Sequence, residues 1–213
     1  MTRRLLLVGA GGLARETAAA ALEAGHEVVG YLDEDPSRAG SDLAGRPVLG
    51  GLDALTRYDD AWLVLCPGRG TARAALAARL LARGVTASRF ATVVHPAAAV
   101  AAGCRIGAGS IVLAGVVMTA SVQVGTHVVV MPNVTLPHDV VAGDFATICS
   151  GVQLGGSVQV GSTAYVGMGA CVREDLRIGA GALVGMGSVL LRDVPDGETW
   201  VGAPATRYRG RLS

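Results

Sequence analysis

Lysine is absent from this chain. All 18 basic residues are arginine, a compositional bias that carries no functional information. Aromatic residues are scarce at 4%, although 51% of the chain is apolar. A core of large rings is therefore excluded, and small and β-branched side chains with 31 glycines must build a regular structure instead. Net charge is nearly absent as well, at +1, which leaves no bulk attraction for nucleic acid or an anionic membrane. No apolar run reaches membrane-spanning length without a glycine or a charge cutting it. The basic-apolar stretch Met1 to Val8 lacks the apolar length and cleavage site of a signal peptide. Cys66, Cys104, Cys149 and Cys171 show no C-x-x-C spacing, so structural thiols in a reducing, cytoplasmic setting are expected rather than disulfides or a metal site.

What is present is a repeat. From Val94 an aliphatic residue recurs every sixth position, through Val100, Ile106, Val112, Met118, Val124, Val130 and Leu136 to Leu190, with only Ala142 undersized. Four residues after each leader stands a second small or aliphatic side chain, such as Val116, Val122, Val128 and Val134. That residue lies two before the next leader, so on a strand the two share a face and both point inward. Glycine follows the leader at eight positions, among them Gly107, Gly125, Gly143 and Gly161, and is expected to supply the backbone freedom for a corner. A short strand and a corner every six residues close a triangular coil after three hexads. Coils stacked at about 4.8 Å form a solenoid. The expectation is a parallel β-helix without a long insertion from Val100 to Val194.

The first ninety residues follow another rule. Arg4 to Val8, Val28 to Leu32 and Trp62 to Leu65 read as buried parallel strands, with helices from Arg15 to Glu23 and Thr71 to Arg83. The alternation is βαβαβ, an α/β unit with a Rossmann-like half sheet. Two domains are expected, residues 1–92 and 93–213. Gly9-x-Gly11-x-x-Ala14, followed by Asp33, fits a dinucleotide fingerprint, and taken alone it suggests NAD. Half a sheet supports a milder reading, in which helix N-terminal amides approach a phosphate and an acid at a strand end accepts from hydroxyls. A tight strand-to-helix turn without ligand is the other alternative.

Three stretches carry a resemblance across nearly the whole chain: Leu7-Val-Gly-Ala-Gly-Gly-Leu-Ala-Arg-Glu16, Pro137-His-Asp-Val-Val-Ala-Gly-Asp-Phe145 and Val201-Gly-Ala-Pro-Ala205. Together they resemble the hexapeptide-repeat acetyltransferases of bacterial sugar biosynthesis, typified by the sialic acid O-acetyltransferase and the UDP-4-amino-sugar N-acetyltransferase of bacillosamine synthesis. The resemblance implies a left-handed β-helix, acetyl-CoA as co-substrate without a metal, and a homotrimer with active sites between subunits. It implies His138 as general base with Asp139 supporting it, where the bacillosamine enzyme has Glu. Acetyl-CoA contacts fall on Thr147, Met168 and Met186. Acceptor contacts fall on Gly11, Gly12, Leu13, Asp33 and Gly68, with Leu13 replacing a His of some relatives.

From residues alone, His138 is either an exposed corner histidine or a base. Gly156 follows one coil later at the same corner, where a missing side chain is expected to leave room for an acyl thioester. An amide near Gly155 or Gly156 would stabilise the oxyanion. Ser150, Met168 and Met186, spaced by eighteen, are either exposed corner residues or a wall for the pantetheine arm. His127 and His26 read as solvated turn residues, and His95 as ordering the start of the repeat. Arg207, Arg209 and Arg211 read as a solvated tail, or as partners of a coenzyme phosphate. The function expected is acetyl transfer from acetyl-CoA to an amino or hydroxyl group of a nucleotide-linked sugar. Its rivals are an NAD-binding oxidoreductase with a β-helical oligomerisation domain and a non-catalytic scaffold.

Overall fold

The computed structural model describes residues 2–210. Strand β1 (Arg4–Val8) carries Leu5, Leu6 and Leu7, each fully buried, which places it in the middle of a sheet covered on both faces. It pairs in parallel with β2 (Glu27–Leu32) and β3 (Trp62–Leu65), in the order β2-β1-β3. Leu5 and Leu7 point toward helix α1 (Gly12–Glu23), whereas Leu6 and Val8 point toward Leu76 and Leu80 of helix α2 (Gly70–Ala82). Helix α1 starts three residues earlier than the sequence reading, because Gly11 serves as N-cap and Gly12-Leu13-Ala14 holds nothing that stops a helix.

From Val93 to Leu190 every strand is two residues long, and successive strands of a face are eighteen positions apart, as in Ile111 with Val129 and Val129 with Thr147. Three parallel faces result. The first runs through Val93–Val94, Ile111–Val112, Val129–Val130, Thr147–Ile148, Tyr165–Val166 and Leu183–Val184. It ends in the antiparallel pair Thr199–Gly202 and Ala205–Arg207. The second face runs from Ala99–Val100 through Thr135–Leu136 to Val189–Leu190, and the third from Arg105–Ile106 to Arg177–Ile178. The leaders point inward: Val124 is 4% exposed, and Val130 and Leu136 are fully buried. Val100 departs from the rule, at 36% exposed, because it lies in the first coil and nothing stacks above it. At the other end Trp200 closes the column of side chains.

The glycines that follow the leaders do a different job from the expected one. None of Gly107, Gly125, Gly143 and Gly161 has a positive φ. A Cβ at Gly161 would meet the Ala180 nitrogen of the next coil at 2.5 Å, so these positions are small because coils touch there. The turn itself is made two residues later, by a left-handed residue in most hexads: Ser121, His127, Asn133, Asp139, Phe145 and their equivalents. Asn and Asp tolerate that conformation through short polar side chains.

The N-terminal sheet and the first face share a core. Ile111, Leu113 and Val129 of the coil pack with Leu5, Leu7 and the alanines of α1. The N-terminal unit therefore covers the first face, while the second and third faces remain open.

Candidate active site

His138 stands at the corner between the second and third faces, two residues after Leu136. Its side chain is 64% exposed and that of Asp139 is 60% exposed. The left-handed backbone of Asp139, at φ 61°, turns its carboxylate back so that Oδ2 lies 3.0 Å from His138 Nδ1. With Nδ1–H donating to the carboxylate, the lone pair of the imidazole sits on Nε2. Nε2 lies over Gly156: a Cβ there would be 2.4 Å from it. The side-chain space at Gly156 is thus filled by the imidazole itself and not kept for a thioester, which corrects the reading of that glycine. Its N–H has no acceptor among the described residues, whereas Gly155 N donates to Val172 O at 2.8 Å and is unavailable as an oxyanion donor.

The carboxyl ends of β1, β2 and β3 enclose a crevice of about 210 Å³ lined by Gly9, Asp33, Glu34 and Pro67 among others. Because β1 is central, the chain leaves it in opposite directions toward β2 and β3, and such a switch point opens a ligand crevice in parallel sheets. Asp33 Oδ2 accepts from Ala10 N at 2.7 Å and Oδ1 from Asp35 N at 3.0 Å, so the acid holds the glycine loop closed. Arg38 Nη1 donates to Ala10 O at 2.6 Å on the same loop. The first α1 bond is Arg15 N to Gly11 O, which leaves the preceding amides unpaired within the helix. At Gly11, Gly12 and Gly68 an added Cβ would meet nothing within 4 Å. Leu13 does not line the crevice: its side chain is 9% exposed and packed in the core, since the helix rotation turns it toward the sheet.

Arg73 joins the two units. It is fully buried on α2, and its acceptors are oxygens of the loop after β3 and of two stacked corners of the coil with the strand that follows. Nη1 donates to Pro67 O at 2.8 Å and Gly68 O at 3.0 Å. Nε donates to His127 O at 3.0 Å, and Nη2 reaches Phe145 O, Ala146 O and Thr147 Oγ1 at 2.9–3.0 Å. Burial pulls its guanidinium down to about 10, and it remains charged at neutral pH. Thr147 in turn donates from Oγ1 to Gly68 O at 2.9 Å and is 2% exposed. Its hydroxyl is committed to this junction, which leaves the backbone of Thr147 for the expected acetyl-CoA contact.

His127 is also corrected: it is 6% exposed and not a surface residue. Its ring stacks on Phe145 with centroids 5.0 Å apart and meets Phe90 edge-on at 4.6 Å. Burial, with the Arg73 charge adding to it, lowers its pKa to about 4. No local pattern signals this contact, since Phe90 lies 37 positions earlier in the chain and meets His127 only after folding. His26 is half-buried and accepts from Arg3 N at 3.3 Å. His95 does order the start of the coil, with Ala97 N on Nδ1 at 3.0 Å and Glu23 3.1 Å from Nε2. Arg207 pairs with Glu198 at 3.2 Å, and Arg211 lies outside the described residues. The cysteines are free, and burial pushes Cys66 up to about 12, far from a reactive thiolate.

Met168 and Met186 stack at the corner between the first and second faces, 53% and 74% exposed. Together with Tyr165, Leu183, Val201 and Arg69 they line an apolar groove of about 340 Å³. Arg69 lies over the Tyr165 ring at 5.2 Å. A larger depression, about 530 Å³ at Asp53 and Arg83, lies beyond the far end of α2 and holds none of these groups.

A hexad solenoid with a histidine–carboxylate pair on one edge and an apolar groove along another has the makings of a β-helical acyltransferase, and comparison with solved structures supports that class. The perosamine N-acetyltransferase PerB of Caulobacter crescentus, solved with CoA and GDP-perosamine, shares 29% identity over 96% of each chain with a TM-score of 0.88. Two further structures of that enzyme carry Asn or Ala in place of one histidine, with the same two ligands. The acetyltransferase domain of PglB from Neisseria gonorrhoeae FA1090, in complex with acetyl coenzyme A, is 30% identical over 98% of this chain and 100% of that one, with a TM-score of 0.88. WeeI from Acinetobacter baumannii AYE, at 24% identity and a TM-score of 0.71, shares the fold over 97% of this chain. No family model and no curated protein matches the sequence. The chain belongs to the hexapeptide-repeat sugar acetyltransferases, whose solenoid is the left-handed β-helix, and it is an enzyme of that class.

Proposed function

We propose that the enzyme transfers the acetyl group of acetyl-CoA to the amino group of a nucleotide-linked sugar, with His138 as general base. The observation that carries this reading is the His138–Asp139 pair, with Nε2 left free above Gly156. The acceptor nitrogen attacks the thioester carbonyl carbon while Nε2 takes a proton from it. The oxyanion gathers the Gly156 N–H. Collapse of the tetrahedral species breaks the C–S bond, and the imidazolium returns the proton to the departing thiolate. Asp139 acts by fixing the tautomer and supporting the imidazolium. Met168 and Met186 offer an apolar wall to the pantetheine arm.

Residues 1–92 are read as a Rossmann-like acceptor domain and 93–213 as the acyltransferase domain. Gly11, Gly12 and Gly68 have no internal reason to be glycine: their φ angles are ordinary and the space above them is open. Close approach of a ligand, such as a nucleotide diphosphate, supplies the reason. Asp33 shapes this loop, with acceptor capacity left on its carboxylate for a hydroxyl.

The corner bearing His138 is opposite the face that the N-terminal unit covers, so one copy cannot bring its own base to its own acceptor. The second face separates the His138 corner from the Met168–Met186 corner. Its outward residues, Ala99, Val117, Thr135, Gln153, Cys171 and Val189, are all uncharged. A second copy of this chain seated there, repeated around a threefold axis, sets the base of one subunit beside the groove and acceptor crevice of the next. The working form is a homotrimer, and acetyl-CoA supply places it in the cytoplasm.

The test is mass spectrometry of acetyl transfer from acetyl-CoA to a panel of UDP-, GDP- and dTDP-linked amino sugars, alongside NAD titration. Mass gain of one acetyl group on at least one acceptor is expected. Tight NAD binding with no transfer would favour the oxidoreductase, and binding of neither coenzyme nor nucleotide would favour a scaffold.

A further inference from the structure

We propose that Arg73 is a positioning residue for the reaction: it holds the acceptor loop Pro67–Gly68 in register with the coil. The inference rests on the reading of Gly68 as part of the acceptor crevice. Arg73 is fully buried, and no carboxylate pairs with it among the described residues. A charge buried without a counter-ion is costly unless oxygens replace its water. Here the replacement is complete, and it is divided between two bodies. Pro67 O and Gly68 O belong to the loop after β3, and His127 O, Phe145 O and Ala146 O belong to the coil. Thr147 Oγ1 closes the ring, accepting from Nη2 and donating to Gly68 O.

Two consecutive carbonyls drawn to one Nη1 fix two consecutive peptide planes. In a trans peptide the N–H points opposite the C=O, so the Gly68 and Arg69 amides are turned away from Arg73. The same clamp sets where α2 begins, at Gly70 after its N-cap Arg69. Helix α2 is seated hard on the coil beside it, since a Cβ at Gly70 would meet Phe145 O at 2.1 Å. Lys cannot reproduce the arrangement, because an ammonium offers three donors without a planar fork.

Steady-state kinetics of Arg73→Met, Arg73→Lys and Thr147→Val test the idea, with Leu80→Ala as a control for lost packing on the same helix. For Arg73→Met the acceptor KM should rise about tenfold or more, as expected when a bound group is misplaced by an ångström. The KM for acetyl-CoA should stay within about twofold of wild type, since that ligand uses the coil corners. Arg73→Lys should recover only part of the loss. Thr147→Val should raise the acceptor KM by about threefold, since of the two hydrogen bonds it removes one holds the acceptor loop directly. Leu80→Ala should lower Tm and leave the acceptor KM near wild type. Folded Arg73 variants with a wild-type acceptor KM overturn the proposal. An equal rise in both KM values, or the same acceptor defect in Leu80→Ala, does so too. Should Arg73→Met not fold, an unchanged acceptor KM in Thr147→Val overturns it. A wild-type protein that acetylates no nucleotide-linked amine removes the functional reading and this inference with it, whereas a normal wild type with indifferent Arg73 and Thr147 variants removes this inference alone.

Discussion

The left-handed corner positions decide which single residues can carry chemistry. Asp139 reaches Nδ1 because its φ of 61° turns it back along the chain, a conformation that Asp accepts readily. Asn accepts it too, so Asp139→Asn keeps the corner and removes only charge support; a loss of about tenfold in kcat is expected. His138→Ala should cost about 10²–10⁴-fold in kcat, the usual contribution of a general base, with acetyl-CoA affinity by calorimetry within about twofold of wild type. A fall in rate toward low pH that His138→Ala lacks is expected of a general base. Any pH dependence left in His138→Ala reports the acceptor amine. Near-wild-type kcat in His138→Ala with every acceptor would return His138 to an exposed corner residue.

His127 makes the opposite use of a corner. Its folded pKa of about 4 lies below the ordinary 6.5. Above pH 6.5 neither folded nor unfolded chain protonates it, and between 6.5 and 4 only the unfolded chain does. Unfolding is therefore favoured progressively as pH falls through that window, and the effect is complete below it. Urea titrations at pH 7 and 4.5 should show a decline in wild type that is smaller in His127→Asn, a substitution suited to the left-handed backbone. An equal decline in both would assign the loss to other groups.

Among the elements, the solenoid was legible because its rule is periodic and local: one aliphatic leader per hexad suffices to place Val124, Val130 and Leu136 inside. The parallel sheet was legible because LLLV and WLVL can only be central or doubly covered strands. The glycine roles were misread, because clash with the next coil leaves no trace in spacing alone. Arg73, Thr147 and the Phe90–His127 contact were illegible for a related reason: they join residues far apart in the chain, and no pattern in either stretch announces the partner. The two kinds of glycine now make a contrast. Gly161→Ala forces a Cβ to within 2.5 Å of Ala180 N and should lower stability by about 1–3 kcal/mol. At Gly11 an added Cβ meets no protein atom within 4 Å, so in Gly11→Val Tm should change little while the acceptor KM rises and acetyl-CoA affinity holds. Thermal melts and kinetics on the two proteins check the pair, and a Gly11→Val enzyme with unchanged acceptor KM would place the acceptor elsewhere.

The whole molecule is organised around a separation. The N-terminal unit lies on the first face, and His138 lies on the corner opposite it. A prism side of six residues spans on the order of 15–20 Å, which sets the scale of that separation. The shared site proposed above requires a closed ring of subunits, which light scattering should register as a trimer. The most direct measurement mixes two crippled proteins. His138→Ala and Gly11→Val chains are unfolded together in equal amounts, refolded, and assayed at an acceptor concentration well below the KM of the Gly11→Val protein. In a shared site, a wild-type base from a Gly11→Val subunit meets a wild-type acceptor crevice from a His138→Ala subunit at about one interface in four under random assembly. Activity recovering toward about a quarter of wild type is expected; a mixture no more active than the average of its two parents would put base and acceptor crevice within one copy.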